Sequence, residues 1–224
     1  MASEVDICNL ALGHLGDEAT VTSISPPEGS AQAEHCQRFY PIARDTAIEA
    51  HEWNFATRRA VLAQLEMPWS SWRYCYALPT DFIKAIAVLP PDAPSDYTET
   101  LPQEPGYSYG GRMPLGSVEI PRDFVIETDE NNQRLLYTDQ ENAVLRYTRR
   151  VTDTTRYSPM FVDALSRLLA SYLAGPVVKG TEGVNVAQAQ LQAYTRLVAA
   201  ATLSDSNQRR VERHVRSMPA WLRG

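Results

Sequence analysis

The side chains able to do chemistry are few and scattered. His14, His35, His51 and His214 stand apart, none three or four positions from another, so no helix face would present two ring nitrogens to one metal ion. His51-Glu52 is a bare dipeptide without the second histidine of an H-E-x-x-H zinc site. These residues read as core or surface histidines. Glu104, Glu119 and Glu127 could in principle supply the carboxylate pair of a glycoside hydrolase, which needs two carboxyl groups roughly 5–9 Å apart in a cleft. On half-exposed strands such acids read as solvated faces. There is no G-x-S-x-G and no phosphate-binding P-loop; Gly106, Gly110 and Gly111 lie in a proline-rich stretch, not between a strand and a helix. No nucleophile stands with a base and an orienting group. The expectation is a protein that is not an enzyme and carries no cofactor and no metal.

Charge says more than chemistry. Residues 1–208 hold 16 Lys/Arg against 26 Asp/Glu, a net of −10, whereas residues 209–224 hold five arginines and one acid, a net of +4. Val211, Val215, Met218 and Leu222 repeat at helical spacing, with Trp221 beside them and the arginines mostly off that stripe. A stretch of this kind has no core of its own. Its apolar anchors therefore predict a binding segment, carried by Arg209, Arg210, Arg213, Val215, Arg216, Met218, Trp221, Leu222 and Arg223, rather than an ordinary frayed end.

The elements that must position these residues follow from the hydrophobic period. Val5, Cys8, Leu12 and Leu15 repeat as a helix after Ser3, a plausible N-cap with Asp6 three residues on, and Gly16-Asp17 stops it. Residues 17–29 form a polar loop. A second helix runs from about Ser30 to Trp53, with Ala33, Cys36, Tyr40, Ala43, Ala47 and Ala50 on one face and Pro41 expected to kink it. Segments 60–66, 74–78 and 82–89 read as strands bounded by prolines. Residues 90–116 hold six prolines and four glycines, too many for regular structure. Phe124–Thr128, Arg134–Thr138 and Ala143–Arg149 read as a meander, divided by the turn clusters 129–132 and 139–142.

Helical period returns at Ser158-Pro159, an N-cap with a proline in the first turn. Phe161, Leu165, Leu168, Leu169, Tyr172 and Leu173 make a wide stripe that Gly175-Pro176 should end or kink. A last helix, about 184–203, presents Ala187, Leu191, Tyr194, Val198 and Ala201. The fold class expected is α+β. Its two N-terminal helices (1–56) and two C-terminal helices (152–203) would pack as one four-helix bundle, carrying an antiparallel β-rich insertion (57–151) and an extended C-terminal tail (204–224).

Composition sets the remaining bounds. The 44% apolar and 21% charged fractions suit a soluble globular chain. No run of about 18 apolar residues calls for a membrane, and the first residues carry acids where a signal peptide needs basic ones. Three widely spaced cysteines without a C-x-x-C pair read as core thiols in a reducing compartment. The acidic balance argues against a primary nucleic-acid binder. The segment from Trp53 to Arg59 joins helix to β region and has two readings: a packed aromatic hinge, or a subunit contact in which Arg58 and Arg59 meet acids on a neighbour. Tyr97, Tyr107 and Tyr109 suit an interface, or tie down their own loop.

In these residues the chain resembles the bacteriophage head-to-tail adaptors of the tail tubular protein A type. DICNLALGHLGDEATVTSI resembles the first helix and loop of that family, and AEHCQRFYPIARDTAIEAHEWNFATRRAVL its long helix and aromatic–arginine junction. YCYALPTDFIKAIAV, LRYTRRVTD and FVDALSRLLASYLAGPVV resemble the β entry, the last strand and the third helix. The likeness covers most of the chain apart from residues 90–116. It implies a helical bundle with a β domain, assembled as a dodecameric homo-oligomeric ring at the head–tail junction of the virion after assembly in the host cytoplasm. The partners implied are the portal protein, a tail or nozzle protein, further copies of the chain, and genomic DNA passing through the channel without sequence-specific binding.

The readings from the residues fit that implication. An acidic wall would let DNA slide by repelling its phosphates. The basic, apolar terminus would dock into the portal, each of Trp221, Leu222 and Met218 contributing roughly 1.5–3 kcal/mol on burial, with many copies supplying avidity. Two rivals stand beside it. One is a virion-associated glycan or cell-wall hydrolase; the other is a monomeric assembly factor that never enters the particle.

Overall fold

The structure is a computed structural model that describes residues 2–18, 20–66, 71–91 and 122–208. Two helices open the chain, α1 (Glu4–Gly13) and α2 (Ala31–Glu49). Among the described residues seven strands follow: β1 (Thr57–Val61), β2 (Ala63–Leu65), β3 (Tyr74–Ala77), β4 (Phe82–Leu89), β5 (Phe124–Thr128), β6 (Arg134–Thr138) and β7 (Val144–Arg149). A single turn of 3₁₀ helix at Thr154–Arg156 leads into α3 (Pro159–Val178) and α4 (Gly180–Ser206).

Local chemistry explains most boundaries. Ser3 and Asp6 close a capping box: the Ser3 hydroxyl accepts from the Asp6 N–H at 3.1 Å and the Ser3 N–H donates to the Asp6 carboxylate at 2.8 Å. Ser30 and Ser158 cap α2 and α3 with the hydroxyl alone, accepting from the Ala33 and Phe161 N–H at 3.2 Å. Asn132 and Asn142 end the two turn clusters at positive φ, a conformation that asparagine tolerates better than most residues. α2 runs continuously through Pro41, and α3 continues through Gly175-Pro176 to Val178. The break between α3 and α4 falls instead at Lys179 and Gly180, two successive residues with φ of 61° and 62°. α4 therefore begins four residues earlier than its hydrophobic period suggests.

The strands form two antiparallel sheets, ordered β1-β7-β4 and β2-β3-β6-β5. This corrects the expected meander: β5 and β6 pair as a hairpin, but β7 crosses to the other sheet and inserts between β1 and β4. Tyr76 and Leu136 from one sheet meet Val88, Leu145 and Tyr147 from the other in a single buried cluster, so the sheets face each other as a sandwich. Strand alternation then turns the opposite residues of β4 and β7 toward the helices. Phe82 packs into the sandwich while Ile83 packs against the helical core, and buried Arg146 lies 3.4 Å from Glu52, just beyond α2.

The expected four-helix bundle is not the arrangement found. α3 is the hub: α1, α2 and α4 each pack against it, whereas α1 and α2 meet only narrowly. The reason lies in how apolar surface is shared out. α3 buries Phe161, Ala164, Leu165, Leu168, Leu169, Ala170, Leu173 and Ala174, enough of its circumference for several partners. By length and hydropathy α3 could cross a bilayer; here that apolar excess is absorbed by its central place in the core. α4 buries only Gly183, Ala201 and Asp205 over 27 residues. A bundle helix needs a stripe facing two neighbours, and α4 has enough for one.

Candidate functional site

Among the described residues, three of the eight large apolar side chains left exposed lie on the outer side of α4. At Gly183 the helix lies so close to α3 that an added Cβ would stand 3.0 Å from the Ala174 carbonyl oxygen. Away from that contact Val184 remains 58% exposed, Leu191 47% and Leu203 69%. Val184 and Leu191, seven residues apart, share one line along the helix, and Leu203 lies roughly a third of a turn round from them. The open side of α4 thus carries three apolar side chains set among Asn185, Gln188, Gln192, Thr195 and Ala199, all exposed.

The far end of α4 is fixed by charge. Asp205 is buried at the end of the helix and reaches across to the segment after α2. Its carboxylate accepts from the backbone N–H of Asn54 at 3.0 Å, and its own carbonyl accepts from the Asn54 side-chain amide at 2.8 Å. The His51 ring nitrogen stands 3.6 Å from the same carboxylate. The anchor point is rigid because Trp53, fully buried, donates from its indole to the Ala47 carbonyl at 2.9 Å. Trp53 also meets Phe161 edge-on at 5.1 Å and stacks with Phe55 at 6.0 Å. Phe55 and Tyr157 complete the cluster around Phe161. The packed-hinge reading of this junction therefore matches the geometry.

Of the residues expected to bind a partner, Arg209, Arg210, Arg213, Val215, Arg216, Met218, Trp221, Leu222 and Arg223 lie outside the described residues, as do Tyr97, Tyr107, Tyr109 and most of the 90–116 loop. Arg58 and Arg59 are exposed on β1. Arg58 stands 3.5 Å from Asp81 of its own chain with 57% of its side chain exposed. Asp81 also accepts from the Tyr147 hydroxyl at 2.8 Å; burial, reinforced by that bond, pushes the phenol up to about 12.

The rest of the polar surface gives little chemistry. Glu127 is exposed on β5, while Glu104 and Glu119 lie outside the described residues. His14 sits 3.1 Å from the Ser166 hydroxyl, and burial, with Arg167 nearby, holds its ring below the usual histidine range. Among the described residues no three His, Cys, Asp or Glu side chains converge as a metal site would require. A shallow recess of about 280 Å³ is lined by Trp72, Arg122, Asp123, Thr138, Asp139 and Gln140. There the Asp139 carboxylate accepts from the Arg73 backbone N–H at 3.0 Å.

Sequence reasoning missed Asp205, Asn54 and Gly183. Asp205 follows Ala201 by four residues, which places it on the buried side of the helix; an acid at that position was the one signal available. Compared with known proteins, the chain matches no family model and no curated protein.

Proposed function

We propose that the protein is a structural component of a bacteriophage particle, a head-to-tail adaptor. Copies of it form a ring, twelve in the form the resemblance implies, between the portal protein and a tail or nozzle protein. Genomic DNA passes through the ring without sequence-specific binding. The observation that carries this reading is the outer face of α4, where Val184, Leu191 and Leu203 are left exposed on a long helix that packs principally along α3. A second copy of the chain is the occupant proposed for that face. A ring contact joins two different patches, and Leu10 of α1 and Ile42 of α2, 45% and 54% exposed, offer apolar surface on other helices.

Two further features support it. The Asp205–Asn54 bonds hold the end of α4 only a few residues before the basic, apolar terminus begins. Each subunit of a ring would then offer its terminus from the same place, and many weak attachments would add through effective concentration. The net charge of −10 over residues 1–208 repels phosphates and suits a wall past which DNA must slide.

The test is binding to purified portal oligomers by the full chain and by a chain ending at Gln208. Loss of portal binding by the shortened chain, with its circular dichroism and melting unchanged, is the expected result. Equal binding by both would reject the terminus as the anchor. Absence of the protein from purified particles, measured by mass spectrometry, would reject the adaptor reading as a whole.

A further inference from the structure

The recess of about 280 Å³ on the four-stranded sheet is assembled from three places in the chain. Trp72 comes from just before β3, Arg122 and Asp123 from just before β5, and Thr138, Asp139 and Gln140 from the end of β6 and its following turn. A web of short bonds fixes these walls. The buried Thr138 hydroxyl donates to the Asp123 carbonyl at 2.7 Å and accepts from the Gln140 N–H at 3.3 Å. The Tyr76 hydroxyl donates to the Gln140 carbonyl at 2.8 Å. Beside Trp72, the Arg73 N–H donates to the Asp139 carboxylate at 3.0 Å. The Arg122 N–H donates to the Val88 carbonyl at 2.8 Å, which ties the start of this segment to β4. Trp72 itself is half-buried against Cys75, Leu135 and Tyr137. The polar groups are thus positioned before any ligand arrives, which lowers the ordering cost of binding.

We propose that this recess binds one neutral sugar residue of a glycan. Its lining mixes an aromatic side chain, two carboxylates, a guanidinium and an amide. An anion would meet Asp123 and Asp139, and a cation would meet Arg122. A neutral ring bearing hydroxyl groups suits all of them at once: hydroxyls donate to the carboxylates and accept from the guanidinium and the amide. The C–H face of such a ring supplies the apolar surface that the indole can cover. The recess is slightly smaller than the roughly 300–1,000 Å³ pockets that enclose drug-sized molecules, so it takes one ring and leaves the rest of a chain outside. Being shallow, it covers only part of that ring, and the dissociation constant should be about millimolar. None of β3, β5 and β6 packs broadly on α4. The site therefore stands or falls independently of the adaptor reading.

The experiment is a nuclear magnetic resonance titration of the isotope-labelled full-length protein with the methyl glycosides of glucose, galactose, mannose and N-acetylglucosamine. Argininamide and inorganic phosphate serve as charged controls. The expected result is a saturable shift of the Trp72 indole N–H and of the Asp139 and Gln140 amides with at least one methyl glycoside. Trp72→Ala should weaken that binding about tenfold, through loss of the aromatic platform. Asp123→Ala, at an exposed position that leaves the buried cluster intact, should weaken it about fivefold with circular dichroism unchanged. Should Trp72→Ala fail to fold, Asp123→Ala carries the test. No saturable shift at these residues with any of the four glycosides would overturn the proposal, as would affinity unchanged by Asp123→Ala. Tighter binding of argininamide or phosphate at the same residues would overturn the assignment to sugars.

Discussion

Replacing Leu191 by Glu and Leu203 by Lys together should separate folding from assembly. In the subunit these side chains are 47% and 69% exposed, and Val184 is 58% exposed. Full burial of such side chains is worth roughly 1.5–3 kcal/mol each. Covering what is still open on all three would therefore contribute about 3–5 kcal/mol to one subunit contact. The double variant removes the two leucine shares and asks a neighbour to bury two charges without partners. The combined cost is at least about 4 kcal/mol per contact, roughly a thousandfold in dissociation constant. The fold should barely notice, because Glu and Lys are good helix formers at exposed positions and surface changes of this kind fall within about 0.5 kcal/mol. The assay is light scattering behind size exclusion, for the protein alone and mixed with portal oligomers, counting copies retained. A double variant that assembles at the wild-type concentration, with the same copy number, would refute the assignment of this face as the subunit contact.

Two glycines in the α3–α4 pair should respond in opposite directions. Gly175→Ala adds a methyl where nothing lies within 4 Å and should stabilise by about 0.5–1 kcal/mol, whereas Gly183→Val drives carbon into the Ala174 carbonyl and should destabilise by about 1–3 kcal/mol in urea unfolding. Asp205→Ala strips the acceptor from the Asn54 N–H and should lower stability by about 2–3 kcal/mol, while Asp205→Asn, which keeps an acceptor oxygen, should recover part of the loss. His14 should titrate below 6.5 in an NMR series, because burial disfavours its charged form. Since the unfolded chain then binds the proton first, this residue's contribution weakens stability as pH falls through 6.5 and is absent above it; a His14 midpoint above 6.5 would reverse the sign.

Local elements were legible because their causes are local. The serine caps at positions 3 and 158, the turn clusters 129–132 and 139–142 and the strand segments read from the sequence each depend on a few consecutive residues, and the structure places elements there within a few positions, dividing segment 60–66 between β1 and β2 of different sheets. Apart from the end of α3, read at Gly175-Pro176 and found at Lys179-Gly180, what failed was a relation between distant parts. Three successive strands read as a meander, yet β7 pairs with β1 and β4 because its Leu145 and Tyr147 fill the sandwich from the other side. Two helical pairs read as a bundle, yet packing depends on how much apolar circumference each helix offers, and α3 offers most of it. The clamp of Asp205 on Asn54 joins positions 151 residues apart, and no period or motif links them.

The sequence alone determined the kind of molecule: an acidic body of helices and antiparallel strands, a basic apolar terminus, and no motif for catalysis. Those properties follow from composition and short-range periodicity, which are written residue by residue. Only the tertiary structure decided that α3 is the centre, that α4 leaves Val184, Leu191 and Leu203 exposed, and that Asp205 meets Asn54. Each of these is set by competition among distant surfaces for the same burial, and that competition has no outcome until the chain has folded.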